Sequence, residues 1–229
     1  MTQIQKSSFK FLKDITEHNN RDWFAEHKED YQSHHNSFVD FSDNLIDLMR
    51  MHDNIETPTG KKAVMRIYRD VRFSKNKAPY KTYSGMSFKR GTQLLRGGYY
   101  VHIEPGNSFV GGGFWGPNKD DLLRIRKGIE TDQEEFRTVL NSDKFKSVFG
   151  VLEGEQLKTC PKGFDKDSTA IDLLRYKQFL IKKDFSDDEV LKAGFLQNTN
   201  EVFEAMRPFF DLMSYILTTD ANGVPLFEE

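Results

Sequence analysis

The stretch Tyr99-Tyr100-Val101-His102-Ile103-Glu104-Pro105-Gly106-Asn107-Ser108-Phe109-Val110-Gly111-Gly112-Gly113-Phe114 decides the fold. Two runs suited to extended chain, Tyr99 to Ile103 and Ser108 to Phe114, flank Glu104-Pro105-Gly106-Asn107. Proline presets the first central φ of a type II turn, and glycine accepts the positive φ required at the second. If Glu104 faces Asn107, His102 faces Phe109 and Tyr100 faces Gly111. His102 and Glu104 then share one face of the strand, with Tyr100 lying over glycine. The triple glycine weakens its strand, so a large group is expected to approach it.

Outward from this hairpin, other segments read as strands or helices. Met65 to Phe73 alternates, with Met65, Ile67, Val71 and Phe73 on one side and Arg66, Tyr68, Asp70 and Arg72 on the other. Arg69 falls on the apolar side, where it must snorkel, pair with an acid or mark a bend. Tyr83 to Lys89 and Gln178 to Phe185 also suit strands. Before the break at Thr57-Pro58-Thr59-Gly60, Ser7 or Ser8 can cap a short helix with Phe9, Leu12 and Ile15 inward. Asn20 can cap a longer one carrying Phe24, Tyr31, Phe38, Phe41, Leu45 and Leu48.

The second half reads mainly as helices. Stripes run through Leu122, Ile125, Arg126 and Ile129, and through Phe136, Val139 and Leu140. Thr131 to Glu134 and Ser186 to Glu189 have capping-box spacing. A terminal helix spans Val202 to Leu217, which Pro208 should kink or restart. No linker or repeat divides the chain, so residues 1–229 are expected to form a single domain. The class is α+β: a mainly antiparallel sheet of about four to five strands, with its central hairpin near 99–114, covered by helices.

Composition narrows the function classes. Twenty Phe among 229 residues supply enough apolar mass for a real core. No apolar run reaches spanning length and MTQIQKSSFK lacks a signal-peptide core, so a cytoplasmic protein without membrane partner is expected. The only cysteine, Cys160, allows no internal disulfide and reads as a passive thiol. Net charge is −2, yet Lys61 to Arg96 holds eleven Lys plus Arg against one acid, Asp70, or +10. The rest of the chain therefore carries −12. If the segment is exposed, the molecule has one cationic face.

The densest part of that segment is Arg66-Ile67-Tyr68-Arg69-Asp70-Val71-Arg72-Phe73-Ser74-Lys75-Asn76-Lys77-Ala78-Pro79-Tyr80-Lys81. Guanidinium offers a rigid fork of donors that matches phosphate or carboxylate. Arg66, Arg72 and Lys77, with Tyr80, are thus candidate contacts for an anionic small molecule, while Asp70 orients an arginine or acts as a base. Arg69 is the candidate structural ion pair. Against this stands a purely architectural reading, with the arginines held by helix acids. A third reading interleaves the bases with Tyr68, Phe73, Tyr80, Tyr83, Tyr99 and Tyr100 as a single-strand nucleic-acid platform or a surface for an acidic partner. A pI near 6.3 weighs against a dedicated nucleic-acid binder.

His102 and Glu104 are weaker catalytic candidates, since two residues of one strand face do not supply the three or four ligands of a metal site. His27 with His34 or His35 reads as a partly solvated helix flank. No Walker motif, serine-hydrolase elbow or zinc spacing is present, so no metal, cofactor or reaction is assigned.

Arg66, Arg69, Asp70, Arg72, Phe73, Asn76, Lys77 and Tyr80 carry a further signal. They match Arg-x-x-Arg-Asp-x-Arg-Phe-x-x-x-[Asp/Asn]-Lys-x-x-Tyr, and the chain resembles an uncharacterised bacterial family, a domain of unknown function with relatives inside longer fungal proteins. Asn19-Asn20-Arg21-Asp22-Trp23-Phe24, Tyr100 to Gly106, the triple glycine and Pro161-Lys162-Gly163-Phe164-Asp165 look like the same family. The resemblance implies a globular, single-domain bacterial protein and brings no activity with it.

Overall fold

A computed structural model describes residues 3–220 and 222–226. The protein is α+β, with a four-stranded antiparallel sheet covered by helices. The strands β1 (Ser84–Lys89), β2 (Gly98–Ile103), β3 (Ser108–Phe114) and β4 (Phe179–Phe185) lie in the order β1-β2-β3-β4. The central hairpin forms as its residues dictate. Asn107 N donates to Glu104 O at 2.9 Å, and Gly106 takes the positive φ of 78° that the turn requires. His102 stacks on Phe109 with centroids 4.8 Å apart and planes 11° apart, as the register demands.

The chain clusters into two compact units. The first comprises the chain up to Phe88, Tyr100–Val110 and Asp184–Glu201. The second comprises Lys89–Tyr99, Gly111–Lys183 and the chain from Val202 onward. Every strand contributes residues to both.

In the first unit, α1 (Lys6–Glu17) buries Phe9, Phe11, Leu12 and Ile15. It begins before Ser7 and Ser8, and Ser8 is buried against the Ser37 hydroxyl at 3.2 Å rather than capping. Asn20 does cap a helix, accepting from Trp23 N, but that helix is the short α2 (Arg21–Glu26). The long α3 (Lys28–Met49) starts separately after His27 and buries Phe38, Phe41 and Leu45. The short α4 (Gly60–Ala63) then lies so tightly on α3 that any Cβ at Gly60 would collide with the Val39 carbonyl. Gly60 N also donates to Asp43 Oδ1 at 2.5 Å.

Residues 65–73 do not form the expected strand. The local ladder is limited to isolated bridges, Val64 with Met86 and Tyr68 with Tyr80. Of the supposed inner side, Ile67 is buried, but Met65 is 41% and Phe73 96% exposed. Asp70 Oδ1 accepts from Arg72 N at 3.2 Å, so a side chain competes for backbone groups that a strand would pair across. The Tyr100 hydroxyl lies where a Cβ on Gly85 would stand, so Tyr100 covers a glycine of the neighbouring strand β1.

The second unit packs around the part of α10 (Phe195–Thr218) beyond Val202, which runs through Pro208 as one helix. Phe203 and Phe210 lie 4.8 and 4.9 Å from Tyr99, centroid to centroid. Phe209 meets Phe136 of α6 (Gln133–Asn141) edge-on. The approach to the triple glycine comes from Phe210 and Met206, which would crowd a Cβ on Gly112. α5 (Lys119–Thr131) buries Ile125 and Ile129 and extends through Thr131, so Asp132, not Thr131, caps α6. The helices α7 (Asp143–Phe149) and α8 (Ile171–Leu174) complete this unit. The expected capping box at Ser186 and Glu189 is present at α9 (Asp187–Val190) of the first unit. No helix among the described residues is long and apolar enough to cross a membrane.

Candidate functional site

Within the first unit the basic stretch folds back on itself as a loop. Arg69 N donates to Pro79 O at 2.9 Å and Lys81 N to Ile67 O at 2.8 Å, so residues 67–69 run beside 79–81. Asn19 clamps the return arm: its Nδ2 donates to Tyr80 O and its Oδ1 accepts from Tyr80 N, each at 3.0 Å. Phe24 stacks on the Tyr80 ring at 4.1 Å. Asn19 and Phe24 of the Asn19-to-Phe24 motif therefore hold the basic loop in place.

The candidate residues separate into different roles. Tyr80 is 5% exposed, so its ring anchors the loop instead of meeting a ligand. Arg69 donates from Nη1 to Ala78 O at 3.0 Å, and its partner is a carbonyl rather than the acid expected of an ion pair. Lys77 donates to Val71 O at 2.9 Å. Arg72 grips Asp70 with two parallel bonds, Nε to Oδ1 at 3.0 Å and Nη2 to Oδ2 at 2.7 Å. The Arg72 side chain is nevertheless 77% exposed. Hydrogen bonds from Arg72, helped by the Arg66 charge, hold the Asp70 carboxyl below its ordinary range. Such an acid stays ionised and makes a poor base at neutral pH.

Arg66 is exposed and makes no hydrogen bond or ion pair with any described residue. Its charge reaches Lys81, whose ammonium is pushed below its usual range by burial and then by Arg66. Lys81 itself lies over the Tyr83 ring, 5.7 Å from the centroid. Two cations are thus held near one another by the backbone pairing of the loop arms.

Other bases of the +10 segment serve as scaffold in the second unit. Arg90, its side chain fully buried, donates to Asp211 Oδ1 at 2.6 Å and to Ser214 Oγ at 3.2 Å. Arg96 pairs with Asp121 at 2.6 Å. The cluster therefore divides into internal ion pairs and an open loop.

His102 and Glu104 do meet, at the foot of that loop. His102 Nε2 lies 3.2 Å from Glu104 Oε2, and Nδ1 lies 3.2 Å from the Tyr100 hydroxyl. Thr82 donates to Glu104 Oε1 at 3.0 Å, and the Tyr83 ring packs 4.3 Å from His102. Burial pushes the His102 pKa down more than Glu104 raises it. Burial would raise Glu104, but bonds from Asn107, His102 and Thr82 outweigh it and hold the carboxyl low. A neutral imidazole donating to an ionised glutamate, with a tyrosine donating into its other nitrogen, orients three side chains along one strand face.

Sequence reasoning placed His34 on a solvated helix flank, but it is 5% exposed and bonds the Ser84 hydroxyl at 2.7 Å. The signal was available: position 34 continues the 38, 41, 45 stripe of α3 one turn earlier. Lys81 and Ser84 were missed because only the fold-back sets Lys81 near Arg66 and only tertiary packing sets Ser84 against His34. Cys160 is half-buried, its Sγ 3.3 Å from Phe164 O.

A family model described as "Conserved hypothetical protein (DUF2461)" matches residues 7–212. Among curated proteins and among solved structures, none matches this chain.

Proposed function

We propose that this chain, which belongs to the conserved hypothetical protein family DUF2461, binds a phosphate-bearing ligand on the open basic loop. Arg66 and Lys81 are the primary contacts, with Arg72 and Lys77 at the edge. One observation carries the reading: Arg66 is exposed with no hydrogen bond or ion pair to a described residue, and the pairing of the loop arms sets it near Lys81, whose pKa is lowered by burial and then by Arg66. Like charges held together by backbone geometry repel, and an anion between them relieves that repulsion. The paired Arg72 and the carbonyl-bound Lys77 can add charge without being freed first, because each keeps unused donors. Tyr80 leaves the list of contacts, since its ring is inside.

Titration of inorganic pyrophosphate at low salt into wild type, Arg66→Gln and Lys81→Gln tests this. Wild type binds, and each variant loses at least about tenfold, equivalent to about 1.4 kcal/mol. Equal affinity in all three proteins, or no binding by wild type, rejects the proposal.

A second reading has its own support. Phe73 is 96% exposed beside the Arg72 guanidinium, 5.9 Å from its ring centroid, and Tyr68 is 52% exposed. An open aromatic beside cations suits the stacked bases and phosphates of single-stranded nucleic acid. This reading requires an oligonucleotide to bind with steep salt dependence and Phe73→Ala to weaken it.

A further inference from the structure

The connection between β1 and β2, within the second unit, walls an open cavity of about 420 Å³. That is room for a small organic molecule rather than a single ion. Lys89, Arg90, Thr92, Gln93, Leu95 and Arg96 line it. Three of them are bases, and no acid is among the described lining residues.

A strained backbone coincides with this wall. Among the described residues other than glycine, Thr92 alone takes a positive φ, 61°. A β-branched side chain is disfavoured there, and such strain lasts only where its surroundings hold it. Here they do. Arg90, buried at one end of the loop, donates from Nη1 to Arg96 O at 3.0 Å and to Ser214 Oγ at 3.2 Å. Arg96 N, at the other end, donates to the same hydroxyl at 2.9 Å. Both ends are thus pinned to one serine of α10, and between them Thr92 Oγ1 accepts from Leu94 N at 3.2 Å. Strained residues gather at ligand clamps, and this one stands in the wall of a cavity.

Charge and donors decide what fits. Asp211 accepts from Arg90 and Asp121 from Arg96, each at 2.6 Å, and neither aspartate is a lining residue. A wall whose arginines each have an aspartate outside it suits one negative charge better than two. Arg96 keeps donors beyond the one given to Asp121, in a fork that matches a planar carboxylate. The amide of exposed Gln93 offers both a donor and an acceptor, and Leu95 supplies an apolar contact.

We infer that the β1–β2 loop binds a small monocarboxylate carrying a hydroxyl and an apolar end. Arg96 and Lys89 take the carboxylate, Gln93 takes the hydroxyl and Leu95 meets the apolar end. The site is independent of the phosphate reading, because it uses other residues in the other unit.

An amide ¹H–¹⁵N NMR titration of the wild-type protein tests this with three probes: 2-hydroxyisocaproate, its primary amide and inorganic phosphate. The carboxylate should shift the amides of residues 91–97 at lower concentration than those of residues 66–81. At 91–97 the primary amide, which has the same body without the charge, and inorganic phosphate should each bind at least about tenfold more weakly. Gln93→Ala, at an exposed position, should keep the wild-type spectrum elsewhere and lose at least about fivefold in affinity for the carboxylate. No shift at 91–97, or shifts at 66–81 first, overturns the site. An equal response of 91–97 to the primary amide or to phosphate overturns the carboxylate assignment, and an unchanged affinity in Gln93→Ala overturns the hydroxyl contact.

Discussion

Asn19 holds both backbone groups of Tyr80, replacing a strand partner with a single carboxamide across 61 positions of sequence. That clamp, with Phe24 stacked on the Tyr80 ring, is how the Asn19-to-Phe24 motif and the basic loop are joined. The loop owes its shape to this attachment as much as to its own turns.

Asn19→Ala removes both bonds and leaves the Tyr80 amide and carbonyl half-buried without partners. A loss of about 2 kcal/mol is expected. For a chain of this size that lowers the melting temperature by about 4–8 °C, readable by circular dichroism. Pyrophosphate affinity should fall with it, because the clamp fixes the arm carrying Lys81. An unchanged melting temperature would remove the clamp from the account.

Tyr80 separates anchoring from ligand contact. Tyr80→Phe keeps the stack on Phe24 and should leave pyrophosphate affinity within twofold of wild type, roughly 0.4 kcal/mol. Tyr80→Ala empties a core position and should cost about 3–5 kcal/mol. A large affinity loss in a well-folded Tyr80→Phe protein would return the hydroxyl to the site.

Arg90 and Arg66 make a contrasting pair. Asp211→Asn weakens a charge contact of a fully buried guanidinium from a half-exposed carboxylate, and a loss of about 1–3 kcal/mol is expected. Arg66→Gln breaks no hydrogen bond or ion pair to a described residue and should stay within about 0.5 kcal/mol of wild type. Denaturant melts of the two variants compare them directly.

His34 gives a pH dependence whose sign follows from its burial. Its folded pKa, about 3, lies below the ordinary 6.5, so the unfolded chain binds the extra proton between those values. Stability from this group is complete above pH 6.5 and is lost as pH falls toward 3, by at most about 1.4 kcal/mol per unit. His34→Gln should flatten the stability profile between pH 6 and 4 by about one proton. A parallel profile would contradict the neutral, buried ring.

Much of this was legible in local sequence. The hairpin at Glu104 to Asn107 follows from Pro105 and Gly106 alone, and β4 follows from alternating Phe179, Ile181 and Phe185. The segment 65–73 misled because alternation reports a pattern and not a partner. Asp70 turns back on Arg72, and the arm finds a single bridge, Tyr68 with Tyr80. Membership in the family was legible in the same segment, but the division of labour within it was not. Arg90 looks like Arg66 in sequence; only α10, more than a hundred residues away, buries one and not the other. The nearness of Arg66 and Lys81 is likewise created by the loop's fold-back.

The central claim is that Arg66 and Lys81 are crowded cations awaiting an anion. An NMR titration of the Lys81 ammonium, with and without inorganic pyrophosphate, measures that most directly. The account predicts a pKa below the ordinary lysine value in the free protein, raised by pyrophosphate and raised also in Arg66→Gln. A Lys81 pKa that neither pyrophosphate nor the loss of Arg66 moves would contradict it.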